Sequence, residues 1–248
     1  MSTLETIALP HLPQHQLCVG LFKNVKNAAF LRQQLLAGNA DFEYAFLDAS
    51  VVISRMQFLA ASFRGINDFA SNRMKSHNVH SEIVFSFSPN NNIAESFRRF
   101  GISDTTQNVL AIKVLSPEVT AESVSQHLLQ NIEGEPVDVS DAKFAGLADQ
   151  ARLRKIYKLN VQTKKGAADG TASKETEIKE LETSILGVMA LKVADQNSYV
   201  YILSKNRAAS TYGHSQLKTG HPVRSAIHKQ LNGRLVLRWV TTWESLLL

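Results

Sequence analysis

The stretch from residue 79 to residue 104, VHSEIVFSFSPNNNIAESFRRFGISD, decides how the chain folds around it. From Glu82 to Ser88, apolar and polar side chains alternate, and this period of two predicts a strand. Pro89 cannot donate to a sheet ladder, and the three asparagines at 90–92 tolerate turn geometry. The pattern therefore predicts a strand that ends in a turn.

A helix is predicted directly after this turn. Asn92 followed three residues later by Glu95 has the spacing of a capping box, in which side chains bond to the free amides of the first helical turn. Gly101 is predicted to end the helix in the left-handed conformation. The apolar segment 108–115 is then predicted to form a second strand beside the first.

The same periodicities place further elements along the chain. They predict a central strand at 17–22, a helix from Asn24 or Asn27 to Ala37 that ends at Gly38, and a long helix from Asp48 or Ser50 to about Asn72. Further on they predict a helix capped by Thr120, a loop at 133–141, one or two helices at 141–157, a surface insertion at 160–173 and a helix at 175–192. The predicted fold class is α/β (α+β): one domain with a small, largely antiparallel sheet packed by helices.

The run 80–104 closely resembles the signature of the PRPK-binding protein family, TPRKB-like in animals. The resemblance extends through DASVVISRMQFLAASFRGIND at 48–68 and ELETSILGVMALK at 180–192, and so covers about Leu4 to Lys192. It implies a small accessory, non-catalytic subunit of the KEOPS (EKC) complex. Such a subunit binds and activates a PRPK-type atypical kinase/ATPase and, through it, meets the other subunits. It supports N-threonylcarbamoyladenosine modification of tRNA, is linked to telomere maintenance and transcription, and is expected in nucleus and cytoplasm, including telomeric chromatin.

The charge of the chain is unevenly distributed. The net charge is +5 at pH 7, but residues 194–248 hold seven Lys and Arg against two acidic residues, so residues 1–193 are neutral. Basicity therefore says nothing about what the main domain binds. We expect a family domain over residues 1–193 and a basic extension over 194–248. The extension is either specific to the lineage or translated past a splice or stop site, and its unpatterned composition favours the second.

Catalytic, metal and membrane-spanning patterns are weak in this sequence. The single cysteine, Cys18, excludes an intrachain disulfide and lies in an apolar segment, where burial is expected. His77, His80 and Glu82 are ligand types, but no further ligand accompanies them, so neither a metal site nor a cofactor is predicted. Phosphate-loop and nucleophile motifs are absent, and no apolar run reaches about 18 residues. The sequence therefore predicts a soluble, intracellular protein that is not an enzyme.

The helix at 175–192 carries an apolar face wider than one packing surface needs. Such a helix either covers the core or meets a partner. In the resembled family this helix lies at the kinase-binding surface, which favours a partner. The predicted kinase-binding residues are Ile178, Leu181, Ile185, Leu186 and Met189.

A second set of polar residues flanks the 82–88 segment. Arg73 and Lys75 precede it, and Asn91 and Asn92 follow it at the predicted helix start, where free amides and nearby cations favour phosphate. Archaeal members of the resembled family hold the single-stranded CCA end of tRNA. The turn here reads SPNNN rather than an arginine-bearing sequence, so the contacts of those members are not matched residue by residue. The predicted RNA-binding residues are Arg73, Lys75, Asn91 and Asn92. The alternative function is a stand-alone tRNA- or RNA-binding module.

Overall fold

The computed structural model describes residues 4–159 and 176–192. The chain divides into two compact units, Met1–Leu186 and Gly187–Leu248. Of the second unit, the described part is the helical segment 187–192. The predicted insertion at 160–173 and the extension at 194–248 lie outside the described residues.

The described chain alternates strands and helices. The strands are β1 (Glu5–Ala8), β2 (Gln16–Lys23), β3 (Ala45–Asp48), β4 (Val109–Val114) and β5 (Glu135–Val137). The helices are α1 (Ala28–Leu36), α2 (Arg55–Ala70), α3 (Val79–Phe87), α4 (Ile93–Phe100), α5 (Ala121–Asn131), α6 (Asp141–Leu147), α7 (Gln150–Tyr157) and α8 (residues 176–192). Short 3-10 helices precede and follow β3 at Ala40–Phe42 and Ala49–Val51.

The five strands form one antiparallel sheet with β2 at its centre. β4 pairs along one side of β2, while β1 and β5 pair with successive parts of its other side. β3 pairs with β4 and lies at the edge of the sheet. The predicted α+β class with a small antiparallel sheet is confirmed.

Helices cover both faces of this sheet. One face carries Cys18, Phe22 and Phe46, which share a buried cluster with α1 and α5. Alternate strand residues such as Leu21 and Ile112 are also buried but point to the other face, as the two-residue period of a strand requires. On the second face α3 contacts β3 and β4, and α2 packs on α3.

The segment that the sequence predicts as a strand, residues 82–88, is helical up to Phe87. Asn78 caps α3 by accepting a hydrogen bond from the Ser81 amide at 2.8 Å. Every residue from Glu82 to Phe87 is buried, on whichever side of the helix it lies. In a helix enclosed on all sides, alternation of apolar and small polar residues no longer reports a sheet face, so the strand prediction was wrong.

α2 and α3 approach each other closely at Gly65. A methyl group placed at this position would lie 2.8 Å from Ile83 Cγ1 and 3.0 Å from the Ile83 amide nitrogen. Such distances are shorter than any normal carbon contact, so only glycine allows this spacing between the two helices.

Gly101 ends α4, but not in the predicted conformation. Its φ is −69°, in the extended region, so the left-handed prediction was wrong. Glycine is needed there for space instead, since a Cβ would lie 2.6 Å from the Phe97 carbonyl oxygen. At the end of α1, Gly38 does adopt a positive φ of 69°, as predicted.

Two other boundaries differ from the predictions. α2 begins at Arg55 and is capped by Ser54, while Asp48 caps the 3-10 helix before it. Residues 135–137, predicted as loop, form β5, in which Pro136 is tolerated because the strand is short and pairs on one side.

A buried polar network ties α7 to α2 and α3. The Tyr157 hydroxyl donates to the Phe87 carbonyl at 2.7 Å and accepts from Gln57 Nε2 at 3.0 Å. The Gln57 side-chain oxygen in turn accepts from the Ile53 amide at 2.8 Å. Every polar atom in this chain of bonds has a partner, as buried polar groups require.

Candidate functional site: the helix at 176–192, a polar loop and a groove at the sheet edge

The five predicted kinase-binding residues lie on α8, and the structure divides them into two groups. Leu181, Ile185 and Met189 are buried, with Ile185 at 0% exposure. Ile178 and Leu186 are half-buried. For Leu181 and Ile185 this favours packing within the first unit over direct contact with a partner. The role of all five as kinase-binding residues stays a prediction.

The loop before α3 is held in place by carboxylates. Glu82 is buried, and its Oε2 accepts from the Lys75 amide at 2.9 Å, the Ser76 amide at 2.8 Å and the Ser76 hydroxyl at 2.6 Å. Arg73 pairs with Asp68 at 3.3 Å. The two loop amides that could have bound a phosphate therefore already bind a carboxylate of the chain itself.

The four predicted RNA-binding residues do not form one cluster. Arg73 and Lys75 precede α3 and Asn91 and Asn92 follow it, and a nine-residue helix is about 13 Å long. Asn92 caps α4 by accepting from the Glu95 amide at 3.0 Å, which confirms the cap. The reciprocal half of the predicted capping box is wrong, because the Glu95 carboxylate pairs with Arg98 and Arg99 instead. All four residues are exposed. Their binding of RNA stays a prediction.

A groove of about 750 Å³ opens at the β3 edge of the sheet. One of its walls comes from the end of α1 and the 3-10 helix at Ala40–Phe42, and the other from α3 and α4. Tyr44 and Phe46, at the start of β3, form the part between the walls. The groove therefore lies where the two helical layers part around an edge strand.

Aromatic and cationic contacts hold Tyr44 in this groove. Its hydroxyl is 2.9 Å from His127 Nδ1, and its ring lies 5.2 Å from that of Phe46. Lys113 Nζ lies 4.9 Å from the Tyr44 ring centre and donates to the Glu43 carbonyl at 2.6 Å. Burial raises the pKa of Tyr44 to about 12, so the hydroxyl is neutral at physiological pH.

His80 also lines the groove and is deeply buried. Its Nε2 lies 3.1 Å from the Val114 amide, which donates to it. Burial, assisted by the Lys113 charge, lowers the pKa of His80 to about 3, so the ring is neutral. The ring proton must then sit on Nδ1, which has no hydrogen-bond partner among the described residues.

Sequence reasoning missed this groove because its lining comes from segments far apart in the chain. Arg32 and Asp104, for example, form an ion pair at 3.0 Å across 72 positions. The groove is marked by two exposed apolar residues on helices, Leu36 and Phe97. Their apolar character can be read from the sequence, but their exposure can be seen only in the folded chain.

Two other predictions concern reactive groups and membranes. Cys18 is buried as predicted, and burial raises the pKa of its thiol. Within residues 4–159 and 176–192, no three His, Cys, Asp or Glu side chains come together as metal ligands. Over the same residues, no helix combines the length and apolar character needed to span a bilayer.

Comparison with known proteins identifies the class to which this fold belongs. A family model described as "Kinase binding protein CGI-121" matches residues 22–193. The chain therefore belongs to the CGI-121 kinase-binding protein family, which confirms the resemblance found in the sequence.

Curated fungal relatives are similar over nearly their whole length. The EKC/KEOPS complex subunit cgi121 of Aspergillus terreus is 54% identical over 196 residues, which cover 78% of this chain and 98% of that protein. The Aspergillus fumigatus protein of the same name is 50% identical, over 77% of this chain and 97% of its own length. The Coccidioides immitis EKC/KEOPS complex subunit CGI121 is 45% identical, over 78% of this chain and 100% of its own length.

Proposed function

We propose that the chain is a non-catalytic subunit of a KEOPS/EKC complex that binds and activates a PRPK-type atypical kinase/ATPase. In this role it supports N-threonylcarbamoyladenosine modification of tRNA. The observation that carries the proposal is the full-length similarity to EKC/KEOPS subunits, with 98% of the Aspergillus terreus protein covered at 54% identity. A link to telomere maintenance and transcription, and a place in nucleus and cytoplasm, belong to the same proposal.

The kinase contact involves α8 in this proposal. Within the first unit the helix offers Ile178 and Leu186, which are half-buried. Leu181 and Ile185 then shape the contact indirectly, because their burial holds the helix in place. Partly exposed apolar side chains beside a rigid buried stripe are typical of helix-mediated contacts.

The tRNA contact rests on the exposed cations before α3. Arg73 and Lys75 point from a loop that Asp68 and Glu82 hold in one conformation. A pre-ordered cationic loop loses little entropy on binding a phosphate backbone. The same feature supports the alternative, a stand-alone RNA-binding module.

Co-purification and complementation test the main proposal. In cells that lack the endogenous subunit, the tagged full chain is expected to recover the kinase and restore threonylcarbamoyladenosine, measured by mass spectrometry of digested tRNA. The purified kinase should hydrolyse ATP faster when the chain is added, and the chain alone should not hydrolyse it. Native assemblies without a kinase, or turnover by the chain alone, would contradict the proposal.

A charge reversal separates the two functions. We expect Arg73→Glu with Lys75→Glu to weaken tRNA binding and to flatten its salt dependence, because two phosphate contacts are lost. Kinase co-purification should be unchanged. If the isolated chain binds tRNA as tightly as the kinase-bound chain does, the stand-alone module is favoured instead.

A further inference from the structure

The end of α7 carries a cluster of positive charges. Residues 150–159 contain four Lys and Arg and no acidic residue. Lys155 and Lys158 are exposed and Arg154 is half-buried; these three are called the α7 cations below. The buried side of the same helix is formed by Leu153, Ile156 and Tyr157. The α7 cations therefore lie on the outward side of the helix, at spacings of three and four residues.

The α7 cations have no ion pair with any residue of the described chain. Other arginines nearby are paired: Arg152 binds Asp48 at 2.7 Å, and Arg98 and Arg99 share Glu95. Like charges three and four residues apart on a helix repel each other, and one cation would be enough to complement the negative end of the helix dipole. Three unpaired cations in this place therefore favour a negatively charged partner over a purely structural role.

Lys158 also has an uncommon backbone conformation. It ends α7 with φ 54° and ψ 40°, in the left-handed region that glycine and asparagine adopt more easily. The cap itself uses only the backbone, since the Lys158 amide donates to the carbonyls of Arg154 and Lys155. The geometry of the helix end therefore does not account for a lysine here, whereas its exposed charge does.

The helix that carries these charges is anchored at both ends. At its start Arg152 donates to the Asp48 carboxylate at 2.7 Å and to the Ser50 hydroxyl at 3.0 Å. At its end the Tyr157 hydroxyl donates to the Phe87 carbonyl at 2.7 Å. Cations on a fixed helix lose little entropy of the backbone when they bind an extended anion.

The same contacts place the α7 cations at one end of α3. Tyr157 bonds to Phe87, the last residue of α3, and the predicted RNA contacts at 91 and 92 lie in the turn that follows. The predicted contacts at 73 and 75 precede α3, about 13 Å away along the helix. The end of α3 that carries the two asparagines therefore has cations of its own, supplied by α7.

We propose that the α7 cations form a second surface for the phosphate backbone of RNA, and that this RNA is the tRNA substrate of the complex. The inference rests on the proposed function, in which the chain supports tRNA modification. Phosphates carry one charge each at close intervals along a strand, so neighbouring cations on one helix can replace the counterions of successive phosphates. Such a contact positions the RNA and reads no base. RNA is favoured over an acidic protein segment because the proposed substrate is itself a chain of phosphates that the complex must hold.

Binding of an unmodified tRNA transcript to the full chain tests the proposal. Fluorescence anisotropy measures the affinity between about 50 and 200 mM salt. We expect Lys155→Gln with Lys158→Gln to weaken binding about tenfold or more at the lowest salt, and to reduce the slope of log affinity against log salt by about 1.4–1.8, because two phosphate contacts are lost. The basic extension at 194–248 is the same in every variant.

A control variant removes the same charge elsewhere. Lys26→Gln with Lys179→Gln changes two exposed lysines, one after β2 and one on α8, so the net charge of the two double variants is equal. The affinity of the control for tRNA should stay within about twofold of the original, since a local surface depends on the position of its charges. Circular dichroism establishes that both variants are folded.

The reactivity of the lysines gives a second readout. Acetylation by an N-hydroxysuccinimide ester, followed by mass spectrometry, should slow at Lys155 and Lys158 when tRNA is bound and stay unchanged at Lys26 and Lys179. A polyglutamate peptide that protects Lys155 and Lys158 at a lower concentration than tRNA does would assign the surface to an acidic protein segment and overturn the proposal.

Three further outcomes would overturn it. They are an unchanged salt dependence in the Lys155 and Lys158 variant, an equal effect of the control variant, or tRNA that leaves both lysines as reactive as before. Loss of the kinase with unchanged tRNA affinity would also overturn it, because the surface would then belong to a protein contact. Kinase recovery and threonylcarbamoyladenosine formation by the original chain test the proposed function, so failure of one can be distinguished from failure of the other.

Discussion

Replacing Ile185 by alanine separates packing from partner contact on α8. The side chain is 0% exposed, so the alanine variant removes three buried carbon atoms and leaves a cavity. Such changes cost about 2–5 kcal/mol, a large part of a total stability of about 5–15 kcal/mol. For a unit of this size, each kcal/mol lowers the melting temperature by about 2–4 °C, so we expect a drop of about 5–15 °C.

Leu186 supplies the matched comparison on the next position of the same helix. It is half-buried, so Leu186→Ala should cost less than about 2 kcal/mol, because part of the side chain is already in water. If Leu186 contacts the kinase, its alanine variant should nevertheless reduce co-purification more than Ile185→Ala does. An arginine at position 185 should unfold the chain, since it would bury a charge.

Thermal unfolding followed by circular dichroism measures the first effect. Pull-down of the kinase, at a temperature well below both melting points, measures the second. The reasoning would be refuted if Ile185→Ala kept the original melting temperature within about 1 °C and still lost the kinase. That result would mean that the Ile185 side chain contacts the partner and does not belong to the packed core.

Three further changes test the described contacts. Tyr157→Phe removes the hydrogen bonds that the buried hydroxyl makes with Gln57 Nε2 and the Phe87 carbonyl. Urea unfolding should therefore show a loss of about 1–3 kcal/mol with an unchanged m-value, and no measurable loss would contradict the network. Gly101→Ala places a methyl group against the Phe97 carbonyl oxygen and should lower the melting temperature, although the φ of Gly101 is ordinary. The control Gly146→Ala should not lower it, because nothing lies within 4 Å of the added methyl group. Because the pKa of His80 falls to about 3 on folding, its contribution to stability is complete above pH 6.5 and is lost as pH falls towards 3. In urea unfolding at a series of pH values, His80→Gln should lose less stability over this range than the original chain. An identical pH dependence would mean that His80 is not buried in its neutral form.

The sequence was sufficient for much of the fold because several signals are local. Thr120 caps α5 by accepting from the Ser123 amide, and Asn92 caps α4 in the same way, as their spacing predicts. The uninterrupted apolar run of β2 also predicts a central strand, which the sheet confirms. Such features depend on neighbours in the chain, so one sequence contains them.

The errors arose where tertiary contacts decide the outcome. Ile83, Phe85 and Phe87 have the period of a strand, yet they belong to a helix that is enclosed by α2, α4 and the sheet. The Asn78 cap before this helix was the local signal for it. The sequence interpretation relied on the alternation and did not consider this cap. Burial on all sides is a property of the whole fold and cannot be seen in the local pattern.

The candidate sites show the same division. The helical period of α8 correctly predicted a stripe containing Leu181 and Ile185, but its burial could be seen only in the folded chain. The groove at β3 depends on side chains from three separate stretches of the chain, at 32–46, 77–84 and 94–104, and no local pattern joins them. One sequence therefore predicted the apolar stripe of a single helix, but it did not predict a surface formed by several elements together.

The tight contact at Gly65 has a consequence for how the groove can change. α3 carries His80, Ser81 and Val84 of the groove wall, and its distance from α2 is fixed by the missing side chain at Gly65. A larger residue there would push α3 outward and alter the groove's width without replacing any residue that lines it. The width of the groove is therefore set in part by a buried position on the opposite side of α3, which contributes nothing to the lining.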